Sequence, residues 1–159
     1  MLTPVKSKAF RASGTFAIVA SKYNARYVDA MLRAAKKTLA DAGAKIKIVR
    51  VPGAYEIPVV VARLARQAEE EPLSAIICLG VILRGETVHA AHIGEAVSEA
   101  LMRLQTAHEI PVIHEVLLLE NKEQAEKRCL DKHHNRGTEA AQTALEMAQV
   151  MESLGGENF

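Results

Sequence analysis

Hydrophobic positions along the chain follow two alternating rhythms. Four short runs rich in β-branched and aliphatic residues have the length and composition of strands: Thr15 to Ser21 (TFAIVAS), Lys45 to Val51 (KIKIVRV), Ala75 to Val81 (AIICLGV) and Val112 to Leu117 (VIHEVL). Between them the period lengthens to about 3.6 residues. Tyr27, Met31, Ala35, Thr38 and Ala42 share one helical face, Arg33, Lys36, Lys37 and Asp41 lie elsewhere, and Gly43 supplies a stop. Pro58 sits where a first-turn proline is tolerated, ahead of a helix over Val59 to Glu70. Ile93, Val97, Leu101 and Leu104 mark a second helix over His89 to His108. Lys122 to Cys129 reads as a short helix, and Thr138 to Leu154 as a long one built from strong helix formers.

Strand alternating with helix four times over predicts an α/β fold: a single four-stranded parallel sheet, doubly wound, with helices on both faces. Right-handed crossovers place helices on each side and bury every strand, which explains why the first and third runs are almost continuously apolar. A chain of 159 residues, 49% hydrophobic, suits one domain that buries roughly 70% of its extended surface. The expected organisation is an N-terminal arm over 1–14, an α/β domain over 15–154 and a C-terminal tail over 155–159.

Charge narrows the partners. The formal net charge is +1, with acids and bases interleaved along the whole length; no basic stripe is present to meet a nucleic-acid backbone. The first residues lack a signal-peptide core, and no segment reaches about 18 apolar residues free of charge, so a cytoplasmic protein with no membrane partner is expected. Cys78 and Cys129 stand apart without Cys-x-x-Cys spacing and read as free thiols, neither a disulfide framework nor a zinc site.

Ligands of open parallel sheets bind beyond the carboxyl ends of the strands, so the loops that begin at residues 21, 51, 81 and 117 hold the candidate chemistry. In the first, Tyr23 can stack on a planar heterocycle beside the Asn24 amide; equally, Tyr23 can cover the sheet while Asn24 caps the next helix. The second, Val51-Pro52-Gly53-Ala54-Tyr55-Glu56-Ile57-Pro58, is stiffened by two prolines. Glu56 can favour the helix dipole or accept hydrogen bonds from ligand hydroxyls. In the third, the amides of Gly85, Glu86 and Thr87 and the Thr87 hydroxyl can cradle an anion at a helix start. His89, in the first turn of that helix, is the general acid/base candidate, since an imidazole exchanges protons near neutral pH. His92 at i+3 tempts a metal reading, but no further ligand stands at suitable spacing, and no metal is expected. After the fourth strand, Arg128 and Arg136 suggest phosphate recognition, with pairing of Arg128 to Glu123 or Glu126 on a solvated helix face as the alternative.

Taken together, Tyr23-Asn24, Val-Pro-Gly-Ala-Tyr-Glu-Ile-Pro at 51–58 and Leu-Gly-x-x-x-Arg-Gly-Glu-Thr-x-His at 79–89 resemble the 6,7-dimethyl-8-ribityllumazine synthase family. Pro-Val-Ile at 111–113, Glu-Asn-x-Glu-Gln-Ala at 120–125, Arg128 and Asn-x-Gly at 135–137 fit the same pattern. The resemblance implies a flavodoxin-like sheet. It implies a step of riboflavin biosynthesis: condensation of 5-amino-6-ribitylamino-uracil with 3,4-dihydroxy-2-butanone 4-phosphate, releasing phosphate and water, without a cofactor. By the same resemblance Tyr23 stacks on the pyrimidine with Asn24 beside it, Ala54, Tyr55 and Glu56 line the ribityl chain, and Val81 and Ile82 offer backbone contacts to the ring. Gly85, Glu86, Thr87 and Arg128 bind the phosphate, and His89 moves protons. A homo-pentamer, or a multiple of pentamers, is implied, with His114, Arg128 and Arg136 reaching the site from an adjoining chain. Three positions depart from the family pattern: His114 stands for a phenylalanine, Arg136 for a lysine, and Ala90-Ala91-His92 for an aromatic and acidic stretch.

Two rival functions remain to be weighed. A non-catalytic flavin or lumazine binder of the same fold would not need His89, Arg128 and the Gly-Glu-Thr turn. A response-regulator-like module would need clustered acidic residues at the strand ends, which are absent.

Overall fold

The computed structural model describes residues 3–5, 10–85 and 87–155. In chain order the elements are β1 (Thr15–Ser21), α1 (Ala25–Asp41), β2 (Lys45–Val51), α2 (Ile57–Gln67), β3 (Ala75–Leu83), α3 (His89–His108), β4 (Val112–Leu119), α4 (Lys122–Cys129) and α5 (Arg136–Leu154). The four strands form one parallel sheet in the order β2-β1-β3-β4.

Both faces of the sheet are covered, and the side-chain alternation of the central strands shows how. Phe16, Ile18 and Ala20 of β1 join Ile77, Leu79 and Val81 of β3 in a core with Met31, Leu39, Ala141 and Leu145 from α1 and α5. Ala17, Val19, Ile76 and Cys78 face the opposite way, against Ile57, Val61, Val97 and Leu101 from α2 and α3. Two buried faces require apolar residues at every position, which is the origin of the unbroken apolar runs. No helix among the described residues is long and apolar enough to cross a membrane.

Several element ends differ from the sequence expectation, each for a local reason. Strands β3 and β4 run two residues further because Ile82 and Leu83 pair with Leu118 and Leu119 beyond the ends of β1 and β2. Helix α2 begins at Ile57, with Pro58 inside its first turn, and stops at Gln67. Glu69, Glu70 and Glu71 follow, and three carboxylates at the negative end of a helix dipole oppose its extension. Helix α5 begins at Arg136 rather than Thr138, because Asn135 caps it by accepting a hydrogen bond from Gly137 N at 2.8 Å.

Glycine is indispensable at position 137. A Cβ there would overlap the backbone carbonyl of Met31, so α5 crosses α1 at direct backbone contact. Gly137→Ala is expected to lower unfolding stability by about 3 kcal/mol, the upper end of overpacking costs. The check is a reduced denaturant midpoint at unchanged slope.

Candidate functional site

The chain runs from β1 outward to β2, then returns past β1 to β3. The crevice between the carboxyl ends of β1 and β3 is therefore the topological switch point, where an open α/β sheet accepts ligands. A cleft of ≈ 1090 Å³ lies there, just above the roughly 300–1,000 Å³ typical of small-molecule sites. A second depression of ≈ 610 Å³ lies by Arg11, Ser74 and Glu109 at the opposite pole, by the strands' amino ends.

The loops around the cleft are stitched to each other. Asn24 adopts a left-handed backbone conformation with φ 56°, a geometry asparagine tolerates better than most residues. Its side chain makes no cap hydrogen bond to α1; instead Nδ2 donates to the Val81 carbonyl at 2.7 Å, bridging the ends of β1 and β3. Lys22 N and Tyr23 N donate to the carbonyls of Val51 and Pro52 at 2.8 and 3.0 Å, joining the first loop to the second. Arg50 braces the same corner from β2, reaching the carbonyls of Ala20 and Ser21 and the Asp29 carboxylate. With its backbone held, the Tyr23 side chain stays 76% exposed, an aromatic face available for stacking.

In the second loop Ala54 is buried and Tyr55 is 65% exposed at the rim. Glu56 closes its own turn, with Oε2 accepting from Gly53 N at 3.0 Å; it also lines the cleft, so its structural role occupies one oxygen and leaves the carboxylate at the ligand surface. In the third loop Gly85 is exposed, and a Cβ built on it would meet nothing within 4 Å. Its backbone is thus open to the cleft. Thr87 Oγ1 accepts from His89 N at 3.4 Å, which leaves the hydroxyl proton free to point at an anion. His89 is exposed at the first position of α3 and shares the cleft with Gly85 and Thr87. Glu86 lies outside the described residues.

Seven lining residues had no ligand-binding role assigned from sequence: Pro52, Gly53, Leu83, Ala90, His92, Ile93 and Ala96. The last three fall at i+3, i+4 and i+7 from His89, one helical face, so periodicity was the available signal. Among the described residues His92 and His89 belong to no group of three or more metal-type ligands.

The remaining predicted residues lie away from this chain's own cleft. His114 on β4 is fixed against α3, with Nε2 and Ser98 Oγ 2.7 Å apart and Nδ1 accepting from Val116 N at 3.1 Å. Desolvation lowers its pKa, so it is a neutral ring whose face, not its nitrogens, remains to offer. Arg128 on α4 is half-buried, and neither expected carboxylate pairs with it: Glu123 meets Lys127 and Glu126 meets Arg26. Arg136 is held by Glu115 at 3.3 Å and Glu139 at 2.9 Å. No lysine or arginine lines the cleft among the described residues, and the arginine nearest in sequence, Arg84, is paired with Glu120.

Residues 13–152 match the family model described as 6,7-dimethyl-8-ribityllumazine synthase. A protein of that name from Stenotrophomonas maltophilia (strain R551-3) is 43% identical over 145 residues, covering 89% of this chain and 92% of its own. Another, from Xanthomonas oryzae pv. oryzae (strain PXO99A), is 42% identical over 142 residues, covering 87% and 90%. A solved sigma-54 interaction domain protein from Enterococcus faecalis superposes with a TM-score of 0.34 at 14% identity, covering 94% of this chain and 100% of its own, too loosely to bear on the fold.

Two outcomes follow from this geometry. Asn24→Ala should cost about 1 kcal/mol of stability through loss of the bridge to Val81, and raise KM for a ligand held between these loops; unchanged thermal unfolding and KM would contradict the bridging role. Glu115 is 7% exposed, and burial pushes its pKa up to about 7 despite Arg136. A raised folded-state pKa gives stability that is complete below the unfolded value and lost as pH rises through the folded one. Glu115→Gln, which stays neutral, is therefore expected to gain stability relative to the parent by about 2 kcal/mol between about pH 5 and 8, measurable by denaturant unfolding across that range.

Proposed function

Because this chain belongs to the 6,7-dimethyl-8-ribityllumazine synthase family, we propose that it condenses 5-amino-6-ribitylamino-uracil with 3,4-dihydroxy-2-butanone 4-phosphate in riboflavin biosynthesis. Phosphate and water are released, and the enzyme is a cofactor-independent transferase. The observation that carries this reading is the cleft at the β1/β3 switch point, which gathers Tyr23, Asn24, Ala54, Tyr55, Glu56, Val81, Ile82, Gly85, Thr87 and His89.

Each group has a role that its position supports. Tyr23 stacks on the pyrimidine, with Asn24 and the Val81 and Ile82 backbone at the ring edge; Ala54, Tyr55 and Glu56 take the ribityl chain. Gly85 and Thr87 present an amide and a hydroxyl to the phosphate at the head of α3, where the helix dipole favours an anion, and Glu86, outside the described residues, is assigned to the same phosphate by the family resemblance alone. The 5-amino group attacks the ketone to form an imine and expel water. Loss of a proton from the hydroxyl-bearing carbon then expels phosphate and leaves an enol; protonation of its terminal carbon gives a methyl ketone, whose carbonyl the ribitylamino nitrogen attacks to close the ring with loss of a second water. His89 carries protons between these steps. The amine and ketone are intrinsically reactive, so holding both in attack geometry contributes the larger share of the acceleration.

A phosphate in this cleft has amides but no cation from its own chain. Arg128 and Arg136 of an adjoining subunit are the proposed source, with the adjoining His114 ring face packing on the heterocycle, and the working unit is a homo-pentamer or a multiple of it. We take residues 15–154 as the functional domain, 1–14 as an arm and 155–159 as a tail, and place the protein in the cytoplasm.

Purified protein given both substrates is expected to produce a fluorescent lumazine and release phosphate, and His89→Ala to slow turnover by about 10²-fold to 10⁴-fold. Binding of the product without turnover would instead favour the non-catalytic lumazine binder. Full activity of the variant would remove His89 from the proton path.

A further inference from the structure

Strands β1 and β3 stop pairing at Ala20 and Leu79, although β1 stays with β2 as far as Ser21 and Val51 and β3 stays with β4 as far as Leu83 and Leu119. The cleft opens at this split. Backbone groups just beyond the last pair lose their ladder partners there, and a buried one left unsatisfied is costly. Side chains take over on both banks. On the β3 side Asn24 Nδ2 donates to the Val81 carbonyl. On the β1 side Ser21 is fully buried, and its carbonyl accepts from Arg50 Nη2 at 3.0 Å.

The same guanidinium reaches further. Nε donates to the Ala20 carbonyl at 3.2 Å, and Nη2 also donates to Asp29 Oδ1 at 2.7 Å. Ala20 and Ser21 lead into the turn that carries Lys22, Tyr23 and Asn24, and Asp29 lies in the second turn of the helix that leaves it. One side chain on β2 therefore holds both ends of that turn. The Arg50 and Asp29 side chains are only 30% and 38% exposed, so the ion pair is less open to water than one at the free surface. Three acceptors on two elements suit a rigid planar fork, which the single ammonium of a lysine does not provide.

Tyr23 depends on this hold more than Asn24 does. Asn24 has its own bond across the split, whereas the Tyr23 ring is exposed and takes its direction from the backbone beneath it. We infer that Arg50 is a positioning residue: by clamping the end of β1 to the start of α1 it aims the Tyr23 ring, and so favours binding of the pyrimidine substrate without acting on the phosphorylated one. The inference rests on the function proposed above and deepens it. The physical gain is preorganisation, since a ring already aimed need not be ordered when the ligand arrives.

The test is calorimetric binding of the ribitylamino-pyrimidine to the assembled protein, alongside KM for each substrate. Arg50→Ala is expected to raise the dissociation constant and KM for the pyrimidine about 10-fold and to leave KM for the four-carbon phosphate unchanged. Arg50→Lys should restore part of the loss. In a Tyr23→Ala background Arg50→Ala should add nothing to the pyrimidine KM. A merely structural role would lower the folded fraction, and with it kcat, without this split. An unchanged pyrimidine KM, an equal rise in both KM values, or an effect that persists without Tyr23 overturns the inference. Should Arg50→Ala fail to assemble, Asp29→Asn frees one end of the clamp and leaves both carbonyl bonds; a smaller rise in pyrimidine KM is then expected, and no rise overturns the inference alone. Absence of lumazine formation, with pyrimidine binding still dependent on Arg50 through Tyr23, would overturn the proposed function instead.

Discussion

Strand β3 returns beside β1 instead of extending the sheet past β2, and the gap opened above those two strand ends determines where this molecule can hold a ligand. The other cleft features depend on keeping that gap in shape. Asn24 does so directly, at the cost of a left-handed backbone, by bonding across it to Val81. Arg50 and the carbonyls of Val51 and Pro52 brace the same corner from the β2 side. The burial of both sheet faces supplies the rigidity on which this depends, and the backbone contact of α5 with α1 at Gly137 locks one of the two helical layers in place.

Much of this architecture was legible because its causes are local and repetitive. Alternation of apolar runs with helical periods marks a doubly wound sheet, and the strand-end rule then identifies which loops matter. What was not legible depends on partners distant in sequence. Nothing near Asn24 says that its amide bonds to a carbonyl 57 positions away, so helix capping stood as the alternative reading. Glu115 drew no notice inside the fourth strand, and its pairing with Arg136, 21 positions away, appears only in the fold. The sequence reading began the last helix at Thr138, whereas Gly137 is a close-contact residue inside its first turn, with Asn135 capping ahead of it. His92, Ile93 and Ala96 were within reach of periodicity from His89 once that histidine was placed on the cleft.

The cleft and the guanidiniums are divided by the fold itself. Strand ends and α3 line the cleft with Tyr23, apolar side chains, Gly85, Thr87 and His89, while Arg128 and Arg136 lie on the α4 and α5 side of the sheet. A phosphorylated substrate needs both halves, and one chain brings only the first to its own cleft. Assembly is in that sense part of the proposed chemistry.

The most direct test is an experimental structure of the assembled protein with the ribitylamino-pyrimidine and inorganic phosphate bound. The expected density places the pyrimidine over Tyr23, the ribityl chain along Ala54 to Glu56, and phosphate between Thr87 and the guanidiniums of an adjoining subunit, within reach of His89. Ligand bound at the opposite pole beside Arg11 and Glu109, or phosphate in the cleft with no adjoining arginine near it, would contradict the account.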